Sequence, residues 1–248
     1  MKRTIAFIFC AVIATMLFVS CGKNETEKPV KPLPPTPDTV EWPSDIRALY
    51  ECISNSKDII TLTIKTVSAK EMQTILDDTG TRLIGDSGIL CIYLKNGEAT
   101  IATTAKKIIM PATSWTFDSL RNMTSLNGLE LLDYSNTTNM FSLFQCCEKI
   151  QSLDLSSLNT KNVKNATDMF EFCYELKSIK FGDNFNLDNA NKENLRYMFW
   201  VDKSEAMSNP MNIIGCPETQ KNTIKTVWVD CKRPESALSF DGRPAFEN

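Results

Sequence analysis

Among the residue types that could do chemistry, this 248-residue chain contains nine cysteines and 30 acidic residues but no histidine. Without histidine, the chain lacks the commonest general base and the commonest metal ligand. It also contains no Gly-x-Ser-x-Gly element, no phosphate-binding loop and no Cys-x-x-Cys spacing. We therefore predict a protein that is not an enzyme and that holds neither a cofactor nor a metal.

Cys21 has the clearest chemical role among the cysteines. It follows a leader with a basic start and an apolar run, residues 5–19, which is too short to predict a membrane span. This arrangement resembles a bacterial lipoprotein signal, which is cleaved before the cysteine that then receives lipid. Residues 1–20 are then the signal peptide, and the lipidated Cys21 anchors the chain to a membrane. The alternative is a plain signal peptide that leaves Cys21 as a free thiol.

The next two segments are predicted to be a linker and a small folded region. Residues 21–43 contain six prolines, which favour an extended spacer, although a proline-rich recognition site is an alternative. Residues 44–112 are predicted to form a small α/β capping region at the N-terminal end of the fold. Its predicted elements are a helix over 44–54, a strand over 60–67, a helix over 69–77, a hairpin over 88–103 that turns at Asn96-Gly97, and a strand over 107–110.

The chain then repeats itself after 26 residues between Leu126 and Ile179. A unit of this length cannot bury its apolar face alone, so neighbouring units stack. Each unit predicts a short half-buried strand, such as 152–155, then an Asn-rich loop and a helix. The residues predicted to form one face of that helix recur at steps of three and four: Val163, Ala166, Met169, Phe170 and Cys173.

The repeats resemble a known family. The strings LDYSNTTNM at 132–140, LFQCCEKIQSLDLSSLNT at 143–160 and MFEFCYELKSI at 169–179 are similar to the 26-residue BspA-like leucine-rich repeat of bacterial surface proteins. We assign residues 113–209 to these repeats, with a third unit that departs from the pattern. The resemblance implies a secreted or surface-anchored protein that works by binding, often to host proteins or to other cells.

The predicted fold class is α/β: a short right-handed leucine-rich-repeat-like solenoid of parallel strands plus helices. It has a small α/β N-terminal cap and a C-terminal cap strand. We place that strand at 223–230, within a C-terminal cap and tail over 210–248. Stacking is expected to align Leu129, Leu155 and Phe181 in one ladder and Phe144, Phe170 and Phe199 in another.

The outward residues of the predicted repeat strands form the candidate partner face. They are Ser152 and Asp154 in one unit and Ser178 and Lys180 in the next, and Asp154 is expected in register with Lys180. The functional interpretation is a binding face for a protein ligand of a host or a cell surface. The alternative is an ordinary solvated sheet face, on which an ion pair contributes about 0–1 kcal/mol.

Two tryptophans motivate a second hypothesis. Trp200 and Trp228 could stack on sugars, which would fit a glycan-binding accessory lipoprotein of a carbohydrate-uptake system. The alternative is that both indoles are buried in the cap.

The remaining cysteines leave several options open. Cys147 and Cys173 hold equivalent repeat positions, where the family resemblance implies small, reduced core residues. The pairs Cys52 with Cys91 and Cys216 with Cys231 could each form a disulfide in an oxidising compartment.

Charge and leader together predict the location. The formal net charge of −3 argues against a nucleic-acid partner, which calls for a basic surface. We expect the chain in the bacterial cell envelope, held at the outer membrane by its lipid, with exposure at the cell surface as the arrangement that suits adhesion.

Overall fold

Parallel strand pairs dominate the computed structural model, which describes residue 33 and residues 36–43, 59–113 and 116–246. Within these residues the strands form three sheets, one of three strands and two of five strands. The α-helices are few and short, so the chain is a mixed α/β protein, as predicted. The predicted signal peptide, Cys21 and the predicted helix over 44–54 lie outside the described residues.

Each predicted element of the N-terminal region is present where that region is described, but the two outer strands of its sheet were not predicted. β2 (Thr61–Thr66), β4 (Leu90–Lys95) and β5 (Glu98–Thr103) form the centre of a sheet whose outer strands are β3 (Arg82–Leu83) and β7 (Ser125–Asn127). The β4–β5 turn is Asn96-Gly97, and both residues have positive φ, as a tight hairpin turn requires. Helix α1 (Ala69–Leu76) begins with a capping box between Ser68 and Glu71.

The predicted linker is shorter at its C-terminal end than expected. Strand β1 (Thr39–Glu41) lies inside the assigned linker 21–43, and it pairs in parallel with β6 (Lys107–Ile109), which in turn pairs with β8 (Leu132–Asp133). Val40 and Trp42 are buried, and the Trp42 amide donates to the Ile109 carbonyl. These apolar side chains and this backbone pairing hold the segment on the fold, so it is no spacer.

The 26-residue shift appears directly in the strand register. β9 (Ser152–Leu155) pairs in parallel with β10 (Ser178–Phe181), with Ser152 opposite Ser178 and Leu155 opposite Phe181. β11 (Met211–Ile214) and β12 (Leu238–Phe240) continue the parallel sheet, and β13 (Arg243–Pro244) closes it as an antiparallel edge. Leu129 is buried as predicted, but it lies in a 3₁₀ turn, Leu129–Leu131, rather than in a strand.

The predicted repeat helices are wrong. The segments that contain Met140–Cys147 and Ala166–Cys173 are chains of turns, and Ser142, Cys146, Asp168 and Phe172 have positive φ. Their amides bond to the next unit instead of forming an α-helix: Phe144 donates to the Met169 carbonyl and Phe170 to the Met198 carbonyl. Backbone groups must find a partner when buried, and here the neighbouring unit supplies it.

The predicted C-terminal cap strand is also wrong. Residues 223–230 belong to helix α3 (Glu218–Asp230), which is preceded by the short helix α2 (Ser204–Met207). Gln220, Ile224, Val227 and Trp228 are the buried residues of α3, and this spacing is that of a helix face. The β-branched composition favours a strand locally, but the packing of one helical face overrides that preference.

A stack of phenylalanine rings forms the centre of the repeat core. Phe117, Phe144, Phe170 and Phe199 lie ring on ring, with centroids 5.3, 5.7 and 5.6 Å apart and nearly parallel planes. The predicted Phe144–Phe170–Phe199 ladder is confirmed, and Phe117 extends it by one unit. At its C-terminal end, Trp228 lies 5.8 Å from Phe199 and covers the last ring.

Candidate partner-binding surfaces

The outward face of β9 and β10 holds all four residues of the candidate partner face. Ser152, Asp154 and Lys180 are exposed and Ser178 is half-buried. The Lys180 Nζ lies 3.0 Å from Asp154 Oδ2, so the two charges pair across the units as expected. Burial alone would raise the pKa of Asp154, but hydrogen bonds from Ser156 and Lys180 outweigh it and lower that pKa below its ordinary value.

This polar row continues further than the sequence analysis placed it. Asn212 of β11 pairs in register with Ser178, and Ser239 of β12 pairs with Asn212. The Ser239 hydroxyl donates to Asn212 Oδ1 at 3.1 Å. The signal for this extension was the alternation of apolar and polar residues in MNII and LSF, which matches that of the repeat strands.

A second surface feature was missed by the sequence analysis. Four aromatic side chains from two neighbouring units form a row at the surface. We call this row the aromatic strip, and its members in spatial order are Tyr197, Trp200, Phe172 and Tyr174. Successive ring centroids are 6.0, 5.3 and 6.1 Å apart. Tyr197 is 44 % exposed, and the other three rings are partly buried.

Charged groups lie at both ends of the aromatic strip. The Arg196 guanidinium is 5.0 Å from the Tyr197 ring centroid and donates to its hydroxyl, which raises the pKa of Arg196. At the other end, Lys203 Nζ is 3.6 Å from the Tyr174 ring centroid. The Tyr174 hydroxyl donates to Asp202, and burial together with that carboxylate raises the pKa of Tyr174.

A groove of about 360 Å³ adjoins the strip at Tyr197. Its apolar lining residues are Leu195 and Val227. Its charged lining residues form two ion pairs, Lys192 with Asp230 and Arg196 with Glu193. The groove therefore offers apolar surface inside a rim of both charges.

The two tryptophans differ in exposure. Trp228 is fully buried, and its Nε1 donates to the Pro234 carbonyl at 2.9 Å. Trp200 is only partly buried and belongs to the aromatic strip. A sugar could therefore reach Trp200 but not Trp228.

The cysteines of the described residues are all free thiols, so the suggested Cys216–Cys231 disulfide is absent. Cys52 lies outside the described residues, and Cys91 is buried and free. Cys147 and Cys173 are buried, as expected, and their Sγ atoms donate to the carbonyls of Phe117 and Phe144 at 3.1 Å. Burial raises the pKa of both thiols, which favours the neutral form.

The described part of the chain contains no group of three or more Cys, Asp or Glu side chains placed to hold a metal ion. Within the same residues, no helix has both the length and the apolarity needed to cross a bilayer. The polar strand face and the aromatic strip are the two candidate binding surfaces described above.

Comparison with known proteins gives a match to a protein family. Residues 110–212, less than half of the chain, are similar to the family described as "Mycoplasma protein of unknown function, DUF285". No curated protein and no solved structure matches the chain.

Proposed function

We propose that this chain is a surface-anchored bacterial lipoprotein whose repeat region binds a protein partner, in adhesion or in contact with a host. The leader that ends at Cys21 supports the anchor, and the resemblance of residues 132–179 to BspA-like repeats supports the binding role. The observation that carries the proposal is the register of β9 on β10. It aligns like residues of successive units and leaves a regular row of side chains facing outward.

The finer fold proposed with this function is a short right-handed leucine-rich-repeat-like solenoid. Parallel pairing of β9 to β12 at successive units supports it, as does the continuous ring stack. Crossovers between parallel strands are right-handed in almost all proteins, which supports the proposed hand. A solenoid of this kind offers an extended surface for macromolecules rather than a closed pocket for small substrates.

Protease shaving of intact cells tests the anchor and the location together. We expect protease to release the folded domain from cells, and a Cys21→Ala variant to be missing from the membrane fraction. A domain that stays protected on intact cells but is cleaved after lysis would face the periplasm, and the adhesion proposal would then fail. If the domain faces outward, binding of the purified protein to host matrix proteins and to other cells is the next measurement.

Glycan binding is the second candidate, and partial exposure of Trp200 favours it. Trp228 is buried, so it cannot contact a sugar and does not support glycan binding. A screen of oligosaccharides against the purified protein tests it, with Trp200→Ala as the variant that should lose binding. Oligosaccharide binding that survives this substitution would contradict a sugar site at Trp200.

A further inference from the structure

Two members of the aromatic strip, Phe172 and Tyr174, are not required by the repeat in which they lie. A shift of 26 residues places Phe172 on Cys146 and Tyr174 on Glu148. Cys146 and Phe172 have the same backbone conformation, with φ of 57° and 58°. The preceding unit therefore stacks normally with small or charged side chains at these positions, so a structural need does not explain the aromatic residues.

Two members of the strip also occupy an unusual backbone conformation. Phe172 and Tyr197 have φ of 58° and 56°, in the left-handed region that bulky side chains rarely adopt. Elsewhere in the turns this conformation is held by smaller residues, Ser119, Ser142, Cys146 and Asp168. Strain of this kind persists where the surrounding structure imposes it, and it is concentrated at functional sites.

The composition of the strip is that of a protein-binding hot spot. Tryptophan, tyrosine and arginine are the residues that dominate binding energy in protein interfaces. Here Trp200 lies between Tyr197 and Phe172, and Arg196 lies against Tyr197. The Asp202 carboxylate near the far end accepts from Tyr174, while the cations of Arg196 and Lys203 lie at the two ends of the strip.

We propose that the aromatic strip binds a protein segment with a bulky apolar anchor flanked by acidic residues. The anchor would pack on Trp200 and Tyr197. The flanking carboxylates would pair with Lys203 and, in place of the exposed Glu193, with Arg196. This inference rests on the proposed function, since it names the chemistry of the protein partner. It assigns the binding energy to the strip rather than to the polar face of β9 and β10.

The test selects binders from a displayed library of random peptides on the full-length protein in detergent. We expect enriched peptides to carry a tryptophan, phenylalanine or leucine beside aspartate or glutamate. Their affinity should fall about tenfold or more with Trp200→Ala or Tyr197→Ser. Arg196→Gln should weaken binding less and reduce its salt dependence, because one charge pair is lost.

The matched control is Lys65→Gln, which removes the charge of an exposed lysine on β2, in a different sheet, and should leave peptide affinity unchanged. The double variant Asp154→Asn, Lys180→Gln tests the competing polar face of β9 and β10. Melting curves identify any variant that fails to fold. If Trp200→Ala does not fold, the affinity of Tyr197→Ser decides the test, because Tyr197 is the most exposed ring of the strip. Peptides that bind the Trp200→Ala and Tyr197→Ser variants with undiminished affinity, or that show no acidic bias, would overturn the proposal. Binding of polygalacturonate at the strip without any selected peptide would overturn it in favour of glycan recognition.

The two proposals can fail separately. A domain that stays protected in the shaving experiment contradicts the surface location. The peptide measurements then still decide whether the aromatic strip binds an acidic segment. Loss of partner binding with the double variant Asp154→Asn, Lys180→Gln, but not with Tyr197→Ser, supports a protein-binding lipoprotein and contradicts the role of the aromatic strip.

Discussion

Asp168 has a carboxylate oxygen that is buried and finds no hydrogen-bond partner among the described residues. Its backbone φ is 59°, and the equivalent residue of the preceding unit is Ser142. Burial raises the pKa of Asp168, although the nearby Arg196 opposes the shift. The ionised form is therefore disfavoured in the folded chain, and Asp168 is a weak point of the fold at neutral pH.

We predict that Asp168→Asn stabilises the protein at neutral pH. A carboxyl with a raised folded-state pKa makes the fold less stable as pH rises through that pKa, and the penalty vanishes below the unfolded-state pKa. Asparagine has no charge to bury and tolerates positive φ. At pH 7, Tm should rise by about 2–4 °C, as expected for about 1 kcal/mol in a chain of this size.

Melting curves at a series of pH values check this prediction, since the gain in Tm should shrink as pH falls toward the ordinary aspartate pKa of 3.8. A gain that is constant across this range would assign the effect to backbone conformation. A loss of Tm at pH 7 would contradict the prediction outright.

The adjacent thiols Cys146 and Cys147 give a second test at this scale. Cys147 is fully buried and donates to the Phe117 carbonyl, whereas Cys146 is half-buried. Burial raises the pKa of both thiols, so exposure of the sulfur should decide the order of reaction. We expect alkylation of the native protein to modify Cys147 at least about tenfold more slowly than Cys146, as measured by peptide mass spectrometry.

Equal rates would mean that the Cys147 site opens frequently and that the core around Phe117 is loosely packed. Alkylation of the unfolded protein provides the control, because both thiols should then react alike.

At the level of elements, the sequence predicted the features that depend on neighbouring residues in the chain. The β4–β5 hairpin was predicted from Asn96-Gly97 because a tight turn is a local property. The strands β9 and β10 were predicted from alternation, and their pairing from the 26-residue shift. The turns between them were predicted as helices because steps of three and four residues also arise when a chain bonds to the unit beside it.

The aromatic strip was missed for a related reason. It depends on contacts between two units, Phe172 and Tyr174 in one and Tyr197 and Trp200 in the next. The third unit departs from the 26-residue spacing, so the sequence shift did not place these rings together. The available signal was the replacement of Cys146 and Glu148 by two aromatic residues one unit later.

The ring stack makes a prediction about how units hold one another. Phe170 is buried between Phe144 and Phe199, so Phe170→Ala should lower the free energy of unfolding by about 3–5 kcal/mol. Phe172→Ala is the matched control in the same unit, because its ring is partly exposed and should cost less than half as much. Denaturant unfolding of both variants measures the difference.

Similar losses for the two variants would mean that the stack is not the main contact between units. A Phe170→Ala chain that retains nearly full stability would show that the core collapses to fill the gap.

For the described fold as a whole, the question is whether the N-terminal sheet, the repeated segments and the C-terminal helix unfold together. Stacked repeats contact only their neighbours, and long arrays lose cooperativity for that reason. Here one continuous core of buried residues extends from Val40 to Ala245 and includes the ring stack. Trp228 packs on its last ring, and Arg233 donates to the carbonyls of Phe199 and Asn209. This continuity favours a single cooperative unit.

We therefore predict that a destabilising substitution at the C-terminal end also lowers the stability of the N-terminal sheet. Trp228→Ala should lower the free energy of unfolding by about 3–5 kcal/mol. If the molecule is one unit, native-state hydrogen exchange of the slowest amides in β2 and β5 should accelerate by the same free energy. Val229→Ser, at the adjacent exposed position of α3, is the matched control and should change neither quantity appreciably. Acceleration confined to β11, β12 and α3 would instead mean that the stack unfolds from its C-terminal end, because each unit would then be stabilised mainly by its immediate neighbours.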